Sequence, residues 1–360
     1  MTLETDDLRA AVSAGLISET QAASLTKLAD ERRGYRAATA EIDEPFELFK
    51  GFNEIFIVVG LIILYSGWTA ITGIAAFSGS EDNGTSFLLF GTLQVAVVSF
   101  MTIYFTLKRR MVAPSILLSI FLGLGAIQIG FAILQITSSP DTMTLSVVGG
   151  TTAICLIAYW YFFRIPFSLM LSGLAVFAFA IGLFTTDNSQ INDMSDLFLL
   201  STSWSLSLIT IGLGLCSFII ALRFDMSDPH RVTRRSANAF WLHVLAAPAI
   251  VNSIALTLYS SATLVSFLLL ATFLIFIALV AVIIDRRSFL MSGIGYMIAL
   301  VFTVLDGGYG LVVLLIGLGL VLLGSNWEKL RYKLMNGLPV FRGKDKLPPW
   351  KIIQKDTSND

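Results

Sequence analysis

One apolar stretch of the chain carries most of the polar side chains that could do chemistry. Within fifteen residues it contains Asn238, Trp241, His243, Pro248 and Asn252. A neutral imidazole at His243 could bind a substrate, relay a proton or cap a neighbouring helix. Pro248 frees a backbone carbonyl one turn earlier and can kink the helix, which is how membrane cavities are often lined. The alternative is a packed histidine bonded to a neighbouring backbone, with a kink that serves packing.

Three glutamines place amides in two other apolar stretches. Gln128 and Gln135 are seven residues apart and therefore share one helix face, and Gln94 lies near the middle of an earlier stretch. Buried amides in lipid need partners, so these side chains either join helices or line a polar cavity. We predict a substrate-binding set that consists of His243, Asn252, Gln128, Gln135 and Gln94.

Other kinds of chemistry have no matching pattern in the sequence. It contains no Walker loop, HExxH, GxSxG or histidine cluster, and Cys155 and Cys216 lie singly in apolar runs. No acid, base and nucleophile set can be named, and no basic face suits a nucleic acid. We therefore predict no enzyme activity, no catalytic residue, no metal site, no cofactor and no nucleic-acid partner.

The composition places the polar residues in a membrane. Hydrophobic residues make up 55% of the 360 positions and charged residues 14%, whereas a soluble domain carries about 25% charged residues. These values exclude a soluble enzyme, a disordered chain and a secreted disulfide scaffold. We predict an all-α polytopic transmembrane helical bundle, because lipid offers no partner for free backbone groups.

About ten apolar stretches are long enough to cross a bilayer as helices. They cover residues 52–77, 86–107, 112–136, 142–163, 165–186, 197–222, 239–260, 262–284, 288–305 and 307–325. Small residues inside these spans favour close helix contacts. They include Gly123, Gly125, Gly130, Gly212, Gly214, Gly317, Gly319 and Gly324.

The positions of the charges support ten spans with both termini in the cytoplasm. If the connections alternate between the two sides of the membrane, all 24 Lys and Arg residues fall on the side of the N-terminus. Positive residues collect on the cytoplasmic side of membrane proteins. No Asp, Glu, Lys or Arg is expected near the midplane, and Glu54 and Asp285 lie at the cytoplasmic edges of their spans. The other side receives only acidic residues, namely Glu81, Asp82, Asp141, Asp187, Asp193, Asp196 and Asp306.

The chain divides into three predicted parts. Residues 1–50 form a cytosolic helical hairpin, in which Ser18 and Gln21 have the spacing of a capping box. Residues 51–326 form the ten-span transmembrane domain. Residues 327–360 form a basic cytosolic tail with a short interfacial helix, which directs its aromatic and apolar side chains to the lipid and its cations away from it. Such a tail can attract anionic lipids.

Two segments carry a resemblance to a known group of proteins. The segment LRAAVSAGLISETQAASLTKLADERRG, residues 8–34, precedes a many-span region, and the stretch AFWLHVLAAPAIVNS covers residues 239–253. The first segment resembles the N-terminal "GLIS…QA" helical hairpin of uncharacterised bacterial polytopic membrane proteins, and the second is similar to a segment that recurs in such proteins. The resemblance implies a multi-pass protein of the bacterial inner (cell) membrane, and it assigns no activity and no functional residue.

The sequence favours one function and leaves a second as the alternative. The first is a permease-like protein that moves a small neutral or amphipathic solute, as the span count, the Gly-rich helices and the polar seventh span suggest. A short repeat, SLMLSG at 168–173 and SFLMSG at 288–293, fits this reading. The second is a non-catalytic membrane scaffold or sensor that acts through its hairpin and basic tail. Under either function, the expected partners of the protein are the lipid bilayer, anionic lipids at the tail and a further copy of the chain.

Overall fold

The structure is a computed structural model that describes residues 5–33, 52–78, 83–138, 143–184, 204–231, 233–304, 309–339 and 343–350. Within these ranges it has thirteen α-helices and no strand, which confirms the all-α prediction. Three predicted parts lie outside the described residues. They are the acidic residues of the outer loops, residues 34–50 of the hairpin part and residues 351–360 of the tail. The helices are α1 (Thr5–Ser13), α2 (Glu19–Arg33), α3 (Phe52–Ser78), α4 (Asn83–Thr102, continued by a π-helical turn Ile103–Lys108), α5 (Val112–Thr137), α6 (Thr144–Phe163), α7 (Pro166–Phe184), α8 (Trp204–Ser227), α9 (Arg234–Ser260), α10 (Leu264–Ile284), α11 (Arg287–Val304), α12 (Tyr309–Ser325) and α13 (Trp327–Gly337).

Eight of the described helices, α3 to α10, are long and apolar enough to cross a membrane. The chain is therefore a multi-pass integral membrane protein. The last two predicted spans correspond to α11 and α12, which have 18 and 17 residues in the described part of the chain. The count of ten and the side of the termini remain predictions.

Local capping sets several helix ends. Ser18 and Gln21 form the predicted capping box, in which the Gln21 side chain accepts from the Ser18 backbone N–H at 2.9 Å and Ser18 Oγ accepts from the Gln21 N–H at 3.2 Å. Helix α10 begins with a second box made by Thr263 and Ser266. It ends at Asp285, which adopts the left-handed conformation with φ 58°. These caps satisfy backbone groups that a helix end otherwise leaves free.

The chain separates into two compact units. The first unit comprises residues 1–45 and 214–360, and the second comprises residues 46–213. In the second unit, small residues let helices approach closely: a Cβ at Gly130 would lie 2.7 Å from Val148 Cα, and one at Gly149 would lie 2.5 Å from Phe179 N. Among the other predicted small residues, a Cβ at Gly125 would lie 3.2 Å from Gln94 Cγ, and in the first unit a Cβ at Gly214 would lie 2.9 Å from Ala249 Cβ. Gly123 has ordinary contacts, and the positions with no described atom within 4 Å of a Cβ are Gly212, Gly317, Gly319 and Gly324.

A buried carboxylate also organises the second unit. Glu54, in the first turn of α3, is only 5% exposed. Its two oxygens accept from the backbone N–H groups of Val112 and Ala113 at 3.4 and 3.3 Å. Glu54 therefore caps the N-terminus of α5, where the helix dipole favours a negative charge.

The apolar core of the first unit lies among α9, α10 and α11. It is built from small residues of α9, such as Ala246 and Val251, against Leu270 and Leu274 of α10. Trp327, the first residue of α13, packs against the same core. This packing brings the ends of α8, α10 and α13 to one place, where the charged residues of the unit are buried.

Candidate functional site

The end of α8 differs from the prediction in a way that creates a buried ionic site. The sixth span was expected to end at Leu222, with a charged connection from Arg223 onward, but α8 continues to Ser227. The additional turn places Asp225 inside the first unit, where it is 2% exposed. A helix can carry a carboxylate into a core when its charge is compensated there.

Asp225 is held by two side chains from elsewhere in the chain, and we call these three residues the Asp225 triad. His243 Nε2, on α9, donates to Asp225 Oδ2 at 2.9 Å. Arg286, between α10 and α11, donates from Nε to the same oxygen at 3.1 Å and from Nη2 to Oδ1. His243 and Arg286 are both fully buried. Arg286 also donates to the carbonyl of Ser236 at 3.2 Å, so the triad joins α8, α9 and the start of α11.

One ring nitrogen of His243 takes no part in the hydrogen bonds of the triad. An ionised carboxylate only accepts hydrogen bonds, so Nε2 carries the hydrogen in a neutral His243 and Nδ1 keeps a lone pair. Within the described residues, Nδ1 has no hydrogen-bond partner. The rings of Phe218 and Phe289 contact the imidazole edge-on, with centroids 5.5 and 5.8 Å away. The imidazole is therefore buried and tightly packed, and the triad acts as an electrostatic joint between helices.

A second group of charges surrounds Asp285, the residue after α10, and we call it the Asp285 node. The carboxylate of Asp285 accepts from Trp327 Nε1 at 2.7 Å. It forms ion pairs with Arg231 at 3.1 Å and with Arg331 of α13 at 3.4 Å. Burial raises the pKa of Asp285, but the two guanidinium groups and the Trp327 hydrogen bond lower it by more, so the net pKa is below the usual value. Asp285 and Arg286 are adjacent, so the node and the triad form one continuous cluster.

The node also holds the end of the described chain, residues 343–350, which we call the tail segment. Arg331 donates to the carbonyls of Pro348 and Pro349 at 2.7 and 3.0 Å. Lys344 Nζ donates to the carbonyl of Leu338 at 2.7 Å, and Leu347 is 6% exposed. A Cβ at Gly343 would lie 2.8 Å from Met226 Cε, next to Asp225. The tail segment is thus docked on the same cluster.

Helix α13 lies at the predicted place, but its faces differ from the expectation. Trp327, Arg331 and Met335 are spaced four residues apart and are buried. Trp327 was expected on the lipid side of the helix and Arg331 on the opposite side, but both are buried in the protein, whereas Leu330 and Tyr332 are 42% and 38% exposed and can still face the lipid. The reason is that Asp285 and the tail carbonyls offer Arg331 partners that compensate for its burial, which water or lipid would otherwise have to provide.

The predicted binding residues do not all have the same surroundings. Gln94 is 4% exposed, accepts from Trp68 Nε1 at 3.2 Å and donates to the carbonyl of Phe121 at 2.7 Å. It therefore joins α3, α4 and α5. Asn252 is half-buried on α9, nine residues after His243, and this spacing places the two side chains on opposite sides of the helix.

Gln128 and Gln135 are brought together at one groove of the second unit. The groove has a volume of about 340 Å³ and is also lined by Phe87, Leu124, Ile127 and Phe131. Gln128 is half-buried and Gln135 is exposed. The sequence spacing predicted their shared face, and the structure adds the apolar and aromatic lining.

Sequence reasoning missed the ionic cluster, apart from His243. Asp225 and Arg286 were assigned to connections because they are charged and flank apolar runs. The available signal was the apolar segment FIIALRF before Asp225, which lets a helix continue past its first arginine. Among the described residues there is no group of three or more His, Cys, Asp or Glu side chains that could hold a metal.

The comparisons with known proteins give no guide to this site. No family model, no curated protein and no solved structure matches the chain. Its function has to be argued from the residues and their geometry.

Proposed function

We propose that the chain crosses a bacterial inner membrane ten times, with both termini in the cytoplasm. The support is that α11 and α12 follow the eight apolar helices as two further helices in the described part of the chain. The distribution of all Lys and Arg residues to one side agrees with this path. In this topology the Asp225 triad, the Asp285 node and the tail segment lie at the cytoplasmic face.

We infer that the protein works as a non-catalytic membrane sensor or scaffold, through its cytoplasmic face. The observation that carries this proposal is the continuous cluster from Asp225 to Arg331, which links α8, α9, α10 and α13 to the tail segment. Burying charged side chains is expensive, and a cluster of paired charges of this kind is a candidate functional element. A shift of any of these helices changes the positions of the groups that hold the tail segment.

The same geometry favours a sensor over a permease that uses His243. His243 is fully buried, bonded to Asp225 and enclosed by two phenylalanine rings, so its side chain is engaged in holding helices together. Gln94 is engaged in the same way in the second unit. In a sensor of this kind, undocking of the basic tail is the response. In the ten-span topology the tail lies next to the anionic lipids of the cytoplasmic leaflet.

Thiol labelling of the tail segment tests the proposal. Leu347→Cys, in a chain whose Cys155 and Cys216 are replaced by serine, buries a thiol that reacts only when the segment undocks. The full-length protein is placed in vesicles that differ in acyl-chain length and in anionic lipid content. A sensor shows a labelling rate that changes with at least one of these properties. A constant rate in every bilayer would contradict the proposal.

A matched variant shows whether a response passes through the cluster. Asp345→Asn removes an exposed carboxylate from the tail segment and should keep the response. Asp285→Asn weakens the node and should give fast labelling in every bilayer. If both variants respond like the parent chain, the cluster does not transmit the signal.

A further inference from the structure

The groove between α4 and α5 leaves two amides without partners in an apolar part of the protein. Gln128 and Gln135 make no side-chain hydrogen bond with any residue that the structure describes. An amide without a partner is unfavourable in hydrocarbon, because lipid chains neither donate nor accept hydrogen bonds. Gln135 is exposed near the end of α5 and can be served by water, whereas the half-buried Gln128 lies deeper and needs a hydrogen-bonding group from whatever fills the groove.

The depth of the two amides restricts this occupant. Gln135 is two residues from the end of α5 at Thr137, and Gln128 is about 10 Å further along the helix axis. The head group of an ordinary lipid can hydrogen-bond to the amide of Gln135, which lies nearer the end of α5. Its acyl chains have no group that could hydrogen-bond to the deeper amide of Gln128. An occupant that bonds to both amides needs two polar groups that are separated along the direction of α5 and joined by an apolar body.

A flat ring with two opposed carbonyl groups meets these requirements. In a para-quinone the two oxygens are about 5 Å apart, as follows from the carbonyl bond length and the ring. Hydrogen bonds of about 2.9 Å at both ends then span about 11 Å between the donor nitrogens. Gln128 and Gln135 are about 10 Å apart along the axis of α5, so their amides can reach both oxygens if the long axis of the ring follows the helix.

The remaining lining fits the rest of such a molecule. Phe87 and Phe131 supply aromatic faces on which a flat ring can stack, and Leu124 and Ile127 supply an apolar floor. The volume of about 340 Å³ holds a substituted ring and the beginning of a prenyl or alkyl tail. The groove is open, so the tail can continue into the lipid.

We propose that this groove binds the head ring of a membrane quinone, with the amides of Gln128 and Gln135 on the two carbonyl oxygens. The proposal concerns binding alone and includes no redox step. It does not depend on the sensor function, because every lining residue belongs to the second unit.

Binding of a labelled decyl-substituted benzoquinone to the full-length protein in nanodiscs tests the proposal, with empty nanodiscs to subtract partition into lipid. We expect saturable binding that decylbenzene, which lacks the oxygens, does not displace. Gln128→Met and Gln135→Met keep the side-chain size and should each weaken affinity about tenfold, the effect of one hydrogen bond. Ile120→Met, on the same helix but outside the groove, should bind as the parent chain does.

Binding that does not saturate, that decylbenzene displaces equally well, or that both glutamine variants retain would overturn the proposal. Photolabelling of the unaltered chain with an azidoquinone supplies a second measurement that needs no variant. Label in residues 124–135 or at Phe87 supports the groove, and label confined to other segments would overturn it.

Discussion

Asp225→Asn is the most informative single change in the ionic cluster. The substitution preserves the shape of the side chain and its capacity to accept from His243, but it removes the charge that compensates Arg286. The guanidinium of Arg286 is fully buried, so it would face a neutral amide without a counter-charge from Asp225. Removing one partner of a buried ion pair typically costs about 3–5 kcal/mol. This is a large part of the roughly 5–15 kcal/mol that keeps a protein folded.

The free energy of unfolding can be measured in mixed micelles, by titrating a denaturing detergent and following tryptophan fluorescence. Glu54→Gln is the matched control, because Glu54 is also a buried carboxylate but accepts only from backbone N–H groups at a helix end. The glutamine amide keeps one of the two acceptor oxygens, so one of the two backbone N–H groups loses its partner and the control should lose about 1–3 kcal/mol, less than the change that leaves Arg286 without its counter-charge.

A double variant separates the ion pair from general damage to the core. Asp225→Asn combined with Arg286→Met removes both buried charges, and it should lose less stability than the sum of the two single changes. Strict additivity, together with a cost below about 1 kcal/mol for Asp225→Asn, would refute the view that this pair is a structural joint.

Four further predictions follow from the structure. The pKa of folded Asp285 lies below its ordinary 3.8, so its ion pairs stabilise the fold fully above that pH. The difference in unfolding free energy between the parent chain and Asp285→Asn should be constant near neutrality, should begin to shrink as the pH falls through 3.8, and should disappear once the pH is below the lowered pKa of the folded state; a difference that does not shrink at all on acidification would be contrary to this. Gln94→Leu leaves Trp68 Nε1 without its acceptor and should cost about 1–3 kcal/mol in the same titration, with an unchanged midpoint as the contrary result. Solute uptake by vesicles should be equal for the parent chain and His243→Ala, whereas a solute whose uptake needs the protein and is lost in the variant would restore the permease hypothesis. A periplasmic reporter fused after Arg110 should be inactive, and an active one would contradict the ten-span path.

The parts of the fold that depend on local sequence were predictable. Eight apolar helices follow from uninterrupted hydrophobic runs, and the box at Ser18 and Gln21 follows from spacing alone. The shared face of Gln128 and Gln135 follows from helix periodicity. In each case the interacting groups are close in the sequence or belong to one helix.

The ionic cluster was not predictable by the same means. Asp225 and Arg286 are 61 residues apart, and hydropathy assigns each charge to water because it does not register a distant partner. For the same reason the prediction that Arg331 faces away from the protein was wrong. Its side chain is buried because Asp285 and the carbonyl of Pro348 compensate for its charge and its hydrogen-bonding groups. Compensation of buried charges is a property of the tertiary structure, and it decided where α8 ends and which side of α13 is buried.

The labelling rate of Leu347→Cys in the Asp285→Asn chain tests the central claim most directly, since that claim is that the ionic cluster holds the tail segment. Both chains are measured in the same vesicles, with the same thiol reagent and with Cys155 and Cys216 replaced by serine. The account predicts slow labelling when Asp285 is present and labelling that approaches the rate of an exposed thiol when it is replaced. Equal, slow labelling of both chains would show that the tail segment stays docked without the node, and this would contradict the account.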